Sequence, residues 1–302
     1  MDMRVTFRDQ LVGAGLLIPT GVDGLYGRSA TFEGIADAIQ GVVTRLSAGD
    51  RTERVHFTPA MPRAHLERSG YLRSFPDLVG TVHCFCGSDR DHRELLRAQE
   101  AGEDWTRGQA ASDVSLIPAA CYPIYPMMAD RGPLPEGGAT IDIVSWVFRH
   151  EPSLQPTRMQ YFRQRENVRL GAPLEVDAFR ELWMARADAT LTRLGVPHEI
   201  EVANDPFFGR TGKIVADAQR SQQLKFELLI PVNADADPTA CISFNNHLDN
   251  FGAKFGIATS QGETAHTGCV GWGLERLTLA LLRHHGFDPH DWPASARAVL
   301  WP

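Results

Sequence analysis

The sequence predicts an α+β fold: a mixed, largely antiparallel sheet with helices packed on it. Three observations lead there. Segments rich in β-branched and aromatic residues come in pairs, the clearest being ATIDIVSWVF (139–148) with the stretch that returns from it to residue 166. Three other segments, 31–47, 174–195 and 273–286, carry apolar residues at helical spacing. Irregular spans separate these elements, and no internal repeat or low-complexity segment is present.

Each element has its own justification. In TFEGIADAIQGVVTRLS (31–47), Phe32, Ile35, Ile39, Val42, Val43 and Leu46 form one helical stripe. RVHFTPAMP follows, with Val55 and Phe57 alternating as on a half-buried strand that ends at Pro59. Residues 87–113 are charged and weakly periodic, which predicts a helical excursion on the surface. The segment 141–166 predicts two antiparallel strands around a proline-containing loop. LEVDAFRELWMARADATLTRLG (174–195) predicts a second amphipathic helix through Val176, Phe179, Leu182, Trp183 and Leu191, stopped by Gly195 and Pro197. KFELLIPV and ACISFNNH predict another strand pair, and GLERLTLALLRHHG a helix capped by Gly286. At 302 residues the chain can bury one large core, so a single domain over 1–302 is expected.

Composition narrows the function classes. Apolar residues make up 43% and charged residues 22%, as in ordinary globular proteins. The formal charge is −7 and no stretch clusters Lys and Arg, so a nucleic acid finds no general attraction. The opening MDMRVTFRDQ lacks an apolar signal segment, and the longest apolar runs, such as LTLALL (277–282), are too short to span a bilayer. Five cysteines, at 84, 86, 121, 241 and 269, suit no disulfide framework. A cytoplasmic protein with reduced thiols is expected.

The chemistry concentrates in FRHEPSLQPTRMQYFRQRE (148–166). Read as strands, it places Arg149 and Glu151 on one face, and Arg158, Phe162 and Glu166 on one face of the return. Guanidinium groups hold phosphate oxygens in pairs, and a ring beside them can stack on a purine. The pattern suggests a nucleotide laid along a sheet. On these residues alone, a solvated strand pair with incidental ion pairs competes with that reading.

The order of motifs goes further. FRHE, a loop and RMQYF resemble motif 2 of class II aminoacyl-tRNA synthetases; GCVGWGLERL, closing on Arg276, resembles motif 3. The 31–47 helix with the strand ending at Pro59 resembles motif 1. FNNHLDNFGAKFGI is similar to the stretch of seryl-tRNA synthetases before motif 3, and Cys121 in AACYP, Glu166 and Cys269 match the zinc ligands of the atypical, archaeal-type seryl enzymes. Without that likeness, Cys121 and Cys269 read as ordinary buried thiols. The motif 1-like helix starts near residue 31 and little chain follows Arg276, so neither a tRNA-gripping arm nor an anticodon domain is expected. A core of this kind resembles the amino acid:[carrier protein] ligases, and the opening segment FRDQLVGAGLLIPTGVDGLYGRS also resembles theirs.

The resemblance implies ATP-dependent activation of a small amino acid, glycine or alanine, and transfer to the phosphopantetheine thiol of a carrier protein. It implies roles for Arg149 at the α-phosphate, for Glu151 and Phe162 at the adenine, and for Arg158 and Arg276 at the outer phosphates. Met159 and the backbone from Ala240 to Ser243 are expected beside ATP. One Zn2+ per chain on Cys121, Glu166 and Cys269 would receive the substrate amine, with Glu166 and Glu227 seating the substrate and Mg2+ accompanying ATP. Seryl enzymes carry a metal-binding Glu where this chain has Ala240, so the magnesium ligands must differ, with Glu227 one possibility. A homodimer is expected, a membrane or tRNA partner is not, and a helical insertion near 205–225 is the expected carrier-protein surface. Two rival readings are a tRNA-charging core with a separate tRNA-binding partner and a non-catalytic regulatory paralogue. HCFC (83–86), His284 and His285 are read as structural, and FFGRTGK (207–213) resembles a phosphate loop only superficially, lacking its first Gly and helix context.

Overall fold

A computed structural model describes residues 5–233 and 237–302. Seven strands form the central sheet: β1 (Glu53–Val55), β2 (Ala139–Phe148), β3 (Tyr161–Gly171), β4 (Glu199–Val202), β5 (Lys225–Ile230), β6 (Thr239–Asn246) and β7 (His266–Gly273). Their order is β1-β2-β3-β7-β6-β5-β4. Only β1–β2 is parallel; the other five pairings are antiparallel.

Three helices cover one face: α1 (Ala30–Leu46), α2 (Pro173–Leu194) and, after the insertion helix α3 (Gly209–Ser221), α4 (Leu274–His285). Local chemistry sets their ends. The Ser29 hydroxyl accepts the Phe32 amide at the start of α1. Pro173 opens α2, where Glu175 reaches back to the Ala172 amide, and Gly195 closes it with φ 70°. The apolar stripes of α1, α2 and α4 meet Ile242, Phe244, Val270 and Trp272 of the sheet in the larger core. A second core lies on the opposite face, under residues 117–134 and the short helix Asn250–Phe255.

Several expectations shift in detail. Leu182, placed on the apolar stripe of α2, is instead 45% exposed, since the helix turns that position away from the sheet. The strand after α1 stops at Val55, and Phe57 lies beyond it, exposed. Within 87–113 the helix is Asp89–Glu100, with no buried residue, while 109–113 already belong to a strand, Gln109–Leu116, paired with Thr81–Phe85. Within 205–225 the helix is α3, and Lys225 opens β5. None of the described helices is long and apolar enough to cross a membrane.

Charges buried beneath the sheet are paired. Glu275, 2% exposed on α4, accepts the Arg163 amide at 2.6 Å and its Nε at 2.8 Å. Arg163 continues to Glu33 of α1 at 2.6 Å, and Arg28 lies 3.7 Å from Glu275. Arg165 likewise meets Asp142 at 2.6 Å. Removing one member of such a network leaves uncompensated buried charge. Glu275→Ala is therefore expected to lower unfolding free energy by about 3–5 kcal/mol in urea denaturation at neutral pH. A loss under about 1 kcal/mol would contradict this role.

Candidate active site

The face of the sheet opposite α1, α2 and α4 floors a cleft of about 530 Å³. Strand register decides which side chains reach it. Glu227 of β5, Ser243 of β6, Gly271 of β7 and Glu166 of β3 stand opposite one another across four adjacent strands. Two residues along, and so on the same face, come Lys225, Asn245 and Cys269. Gly271 keeps this floor low: a Cβ there would lie 3.1 Å from Ser243 Oγ.

Cys121 arrives from outside the sheet. The segment 118–123 crosses over β3, and the Ala120 and Cys121 amides donate to Glu166 Oε1 at 2.9 and 3.3 Å. This anchoring brings one donor atom from each of Cys121, Glu166 and Cys269 within 4.8 Å of one another, all three residues buried. Two sulfurs and a carboxylate oxygen at that spacing fit one zinc ion, bound at roughly 2.0–2.3 Å per ligand, with room for a fourth partner.

Without an ion the cluster favours its protonated form. The Cys121 thiol is pushed up by its hydrogen bond to Cys269 and by burial. Hydrogen bonding from Cys121 alone would lower Cys269, but burial and the Glu166 charge leave it raised. Burial also raises the Glu166 carboxyl. Nearby, His247 is driven down to about 4 by burial.

The second feature is a pair of cations. Arg149 lies just past β2, its Nε donating to the Pro118 carbonyl at 3.0 Å and its guanidinium 5.5 Å from the Phe162 ring centroid. Arg276, at the start of α4, donates Nε to Thr157 O and Nη1 to Ala240 O, both at 2.9 Å. Burial, and secondarily the charge of Arg149, lower its pKa. Both line the cleft. Carbonyls hold these two guanidiniums without neutralising them, and neither ion-pairs among the described residues. Half-buried cations without carboxylate partners favour an anion that joins them.

The hairpin expectation needs correction in its mechanism. β2 ends at Phe148 and β3 begins at Tyr161, so Arg149, Glu151 and Arg158 sit in the connecting loop, where strand alternation does not operate. Backbone bonds place them: Arg149 N to Gln160 O at 3.0 Å and Arg158 N to Gln155 O at 3.0 Å. Phe162 and Glu166 do share a strand face. Arg158 is largely exposed and pairs with Glu151 at 3.3 Å; both border a recess shared with Phe162 and Arg276. Met159 also borders it, but is 4% exposed with its sulfur 3.6 Å from Arg28 Nη2.

Sequence reasoning missed a polar group at the far end of the floor. Lys225 Nζ lies 2.5 Å from Asp205 and 2.9 Å from Glu227, while Gln219 of α3 donates to Asp205 at 2.9 Å. Burial alone would lower Lys225, but attraction to Asp205 and Glu227 raises it. Alternation in KFELLI marks Lys225 as sharing a face with Glu227; Asp205, in a loop, carries no such signal. Glu227 is thereby engaged by an ammonium group, and Ala240 contributes only its carbonyl.

Comparison with known proteins fits this geometry. The class II core domain of tRNA synthetases of the G, H, P, S and T group matches residues 105–285. Amino acid--[acyl-carrier-protein] ligase 1 of Bradyrhizobium diazoefficiens is 47% identical over 281 residues, covering 93% of this chain and 86% of that protein. Ligase 2 of the same organism is 45% identical over 280 residues, covering 93% and 84%. A type-2 serine--tRNA ligase of Methanopyrus kandleri is 28% identical over 294 residues, and the match spans only 53% of it. The M. kandleri seryl enzyme solved with an Aquifex aeolicus tRNA superposes with a TM-score of 0.82 at 21% identity, over 99% of this chain and 62% of that one.

The raised thiols have a measurable consequence. Zinc uptake must displace protons held above neutral pH, so affinity is expected to fall as pH falls and binding to release about two protons per ion near pH 7.5. Calorimetry of the chelator-stripped protein in buffers of different ionisation enthalpy checks this. Tight binding without proton release would contradict it.

Proposed function

Since this chain belongs to the amino acid--[acyl-carrier-protein] ligase family, enzymes on the class II synthetase core, we propose that it activates glycine or alanine with ATP and passes the aminoacyl group to a carrier-protein phosphopantetheine thiol. The observation that carries this reading is that one cleft holds two carbonyl-anchored, unneutralised guanidiniums beside a Cys-Glu-Cys donor cluster. One group is complementary to polyphosphate, the other to a soft cation. The cleft volume is in the range that takes a nucleotide with a small partner.

In this reading adenine stacks on Phe162, with Glu151 at its edge. Arg149 faces the α-phosphate, and Arg276 and Arg158 the outer phosphates, with Mg2+ carried in on ATP. Cys121, Glu166 and Cys269 would hold a zinc ion, which when bound would supply a Lewis-acid seat for the substrate's α-amino group. The amino-acid carboxylate attacks the α-phosphorus in line, and pyrophosphate leaves from the opposite side. Arg149 stabilises the charge growing on the α-phosphoryl oxygens. The pantetheine sulfur then attacks the adenylate carbonyl, forming a thioester and releasing AMP, whose phosphate can accept the thiol proton. The Lys225–Asp205–Glu227 group fills the floor beyond Ser243 and Asn245, which suits a substrate with almost no side chain.

The insertion helix α3 is the proposed carrier-protein surface. Val215 and Gln219 line the cleft, while Phe208 and Ile214 are 57% and 71% exposed at its rim. The same reading expects a homodimer through the motif 1-like helix α1.

ATP–pyrophosphate exchange tests the first step. Glycine or alanine is expected to support exchange, and Arg149→Ala to slow it about a hundredfold. Cys121→Ala and Cys269→Ala are expected to lose both metal and exchange. No exchange with any amino acid, at full zinc occupancy, would leave a regulatory paralogue as the better reading. Labelled amino acid is expected on phosphopantetheinylated carrier protein; label on tRNA instead would overturn that part.

A further inference from the structure

Two polar groups beside the Cys121–Glu166–Cys269 cluster have no part in the steps above. The Asn245 side-chain amide donates Nδ2–H to Cys269 Sγ at 3.4 Å. The His247 ring places Nε2 3.7 Å from the same sulfur, yet His247 does not join the set of donor atoms that lie within 4.8 Å of one another.

The His247 ring is held with little freedom. Its backbone amide donates to Thr267 O at 2.8 Å, and the Thr267 amide donates to Leu248 O at 2.9 Å, which pins the chain to β7. The Thr267 hydroxyl lies 3.1 Å from Nδ1. Phe251 meets the ring edge-on with centroids 5.1 Å apart, and Tyr125 does so at 6.4 Å. Directly after it, Leu248 takes φ 53°, a left-handed conformation uncommon outside glycine, with its amide bonded to Asn246 Oδ1 at 2.8 Å. The loop is thus built to keep this ring on the sulfur.

The Thr267 hydroxyl can donate to Nδ1 or accept from it. When it donates, the ring proton sits on Nε2 and points at Cys269, and we assign the ring this tautomer. Cys269 then faces two uncharged N–H donors. A metal-bound thiolate keeps lone pairs that do not point at the ion, and N–H donors to them withdraw charge from sulfur without adding any. That weakens its donation to the ion and leaves the ion a stronger Lewis acid.

We propose that Asn245 and His247 are positioning residues for the metal, an outer donor pair that sets the strength of the Cys269 thiolate, with Thr267 fixing the histidine tautomer. This rests on the reading that Cys121, Glu166 and Cys269 hold an ion. The test uses the full chain, stripped by chelator and titrated with Co2+, then with Zn2+ against a chromophoric chelator. In His247→Leu the sulfur-to-cobalt charge-transfer band is expected to move to lower energy. The d–d bands of four-coordinate cobalt keep their intensity. His247→Gln, whose amide can donate to sulfur, is expected to restore the band, and Asn245→Leu to shift it independently. Unmoved bands in both leucine variants, with wild type binding cobalt normally, would refute the donor pair alone. Collapse of the d–d intensity in His247→Leu would make the ring a direct ligand and likewise refute it. If wild type binds neither ion, the metal reading falls and the donor pair with it.

Discussion

The carboxylate of Glu275 is the constraint around which the molecule is assembled. From the first turn of α4 it takes the Arg163 amide on β3 and that residue's guanidinium, which passes on to Glu33 of α1. One buried acid thereby ties together the three segments that carry the class II motifs. Arg276 is its neighbour in sequence, so the same contact that fixes α4 against the sheet delivers a guanidinium over the sheet's far edge. Beneath the sheet, Arg163 and Arg165 meet carboxylates. Above it, Arg149 and Arg276 meet only carbonyls. The fold pairs the arginines beneath the sheet with acids and leaves Arg149 and Arg276 above it without them, while Lys225 on the same upper face is paired. That asymmetry separates scaffold from reaction space.

Much of the scaffold is legible in the sequence. The helical stripes of 31–47 and 273–286, and the β-branched run 139–148, mark elements whose burial alone fixes their type. The insertion and the 87–113 excursion were harder to bound, because a helix such as Asp89–Glu100 buries nothing and periodicity tracks burial. Leu182 shows the same limit at one position: a stripe read from spacing cannot say how wide the covered face is.

The site was legible in a different way. Glu166 and Cys269 are far apart in the chain, yet they become neighbours because β3 and β7 are adjacent and Cys269 lies two residues along β7 from the partner of Glu166. No spacing rule encodes that. Only the likeness of whole motifs pointed to them. Arg149, Glu151 and Arg158 were identified by the same likeness, while the physical reason first attached to them, strand alternation, fails because the strands stop short. Loop hydrogen bonds supply the placement instead. Asn245 and His247 were within a motif recognised as a unit, so their separate chemistry drew no notice until the sulfur contacts were visible.

The triad of Lys225, Asp205 and Glu227 limits how this cleft can diverge. Trimming the lysine to admit a bulkier occupant would leave two acids facing each other at the cleft wall; trimming either acid would strand part of an ammonium's hydrogen bonding. Single substitutions therefore gain volume only by creating electrostatic strain. Widening this end of the cleft takes the exchange of several of these residues at once, so its shape resists change by single steps.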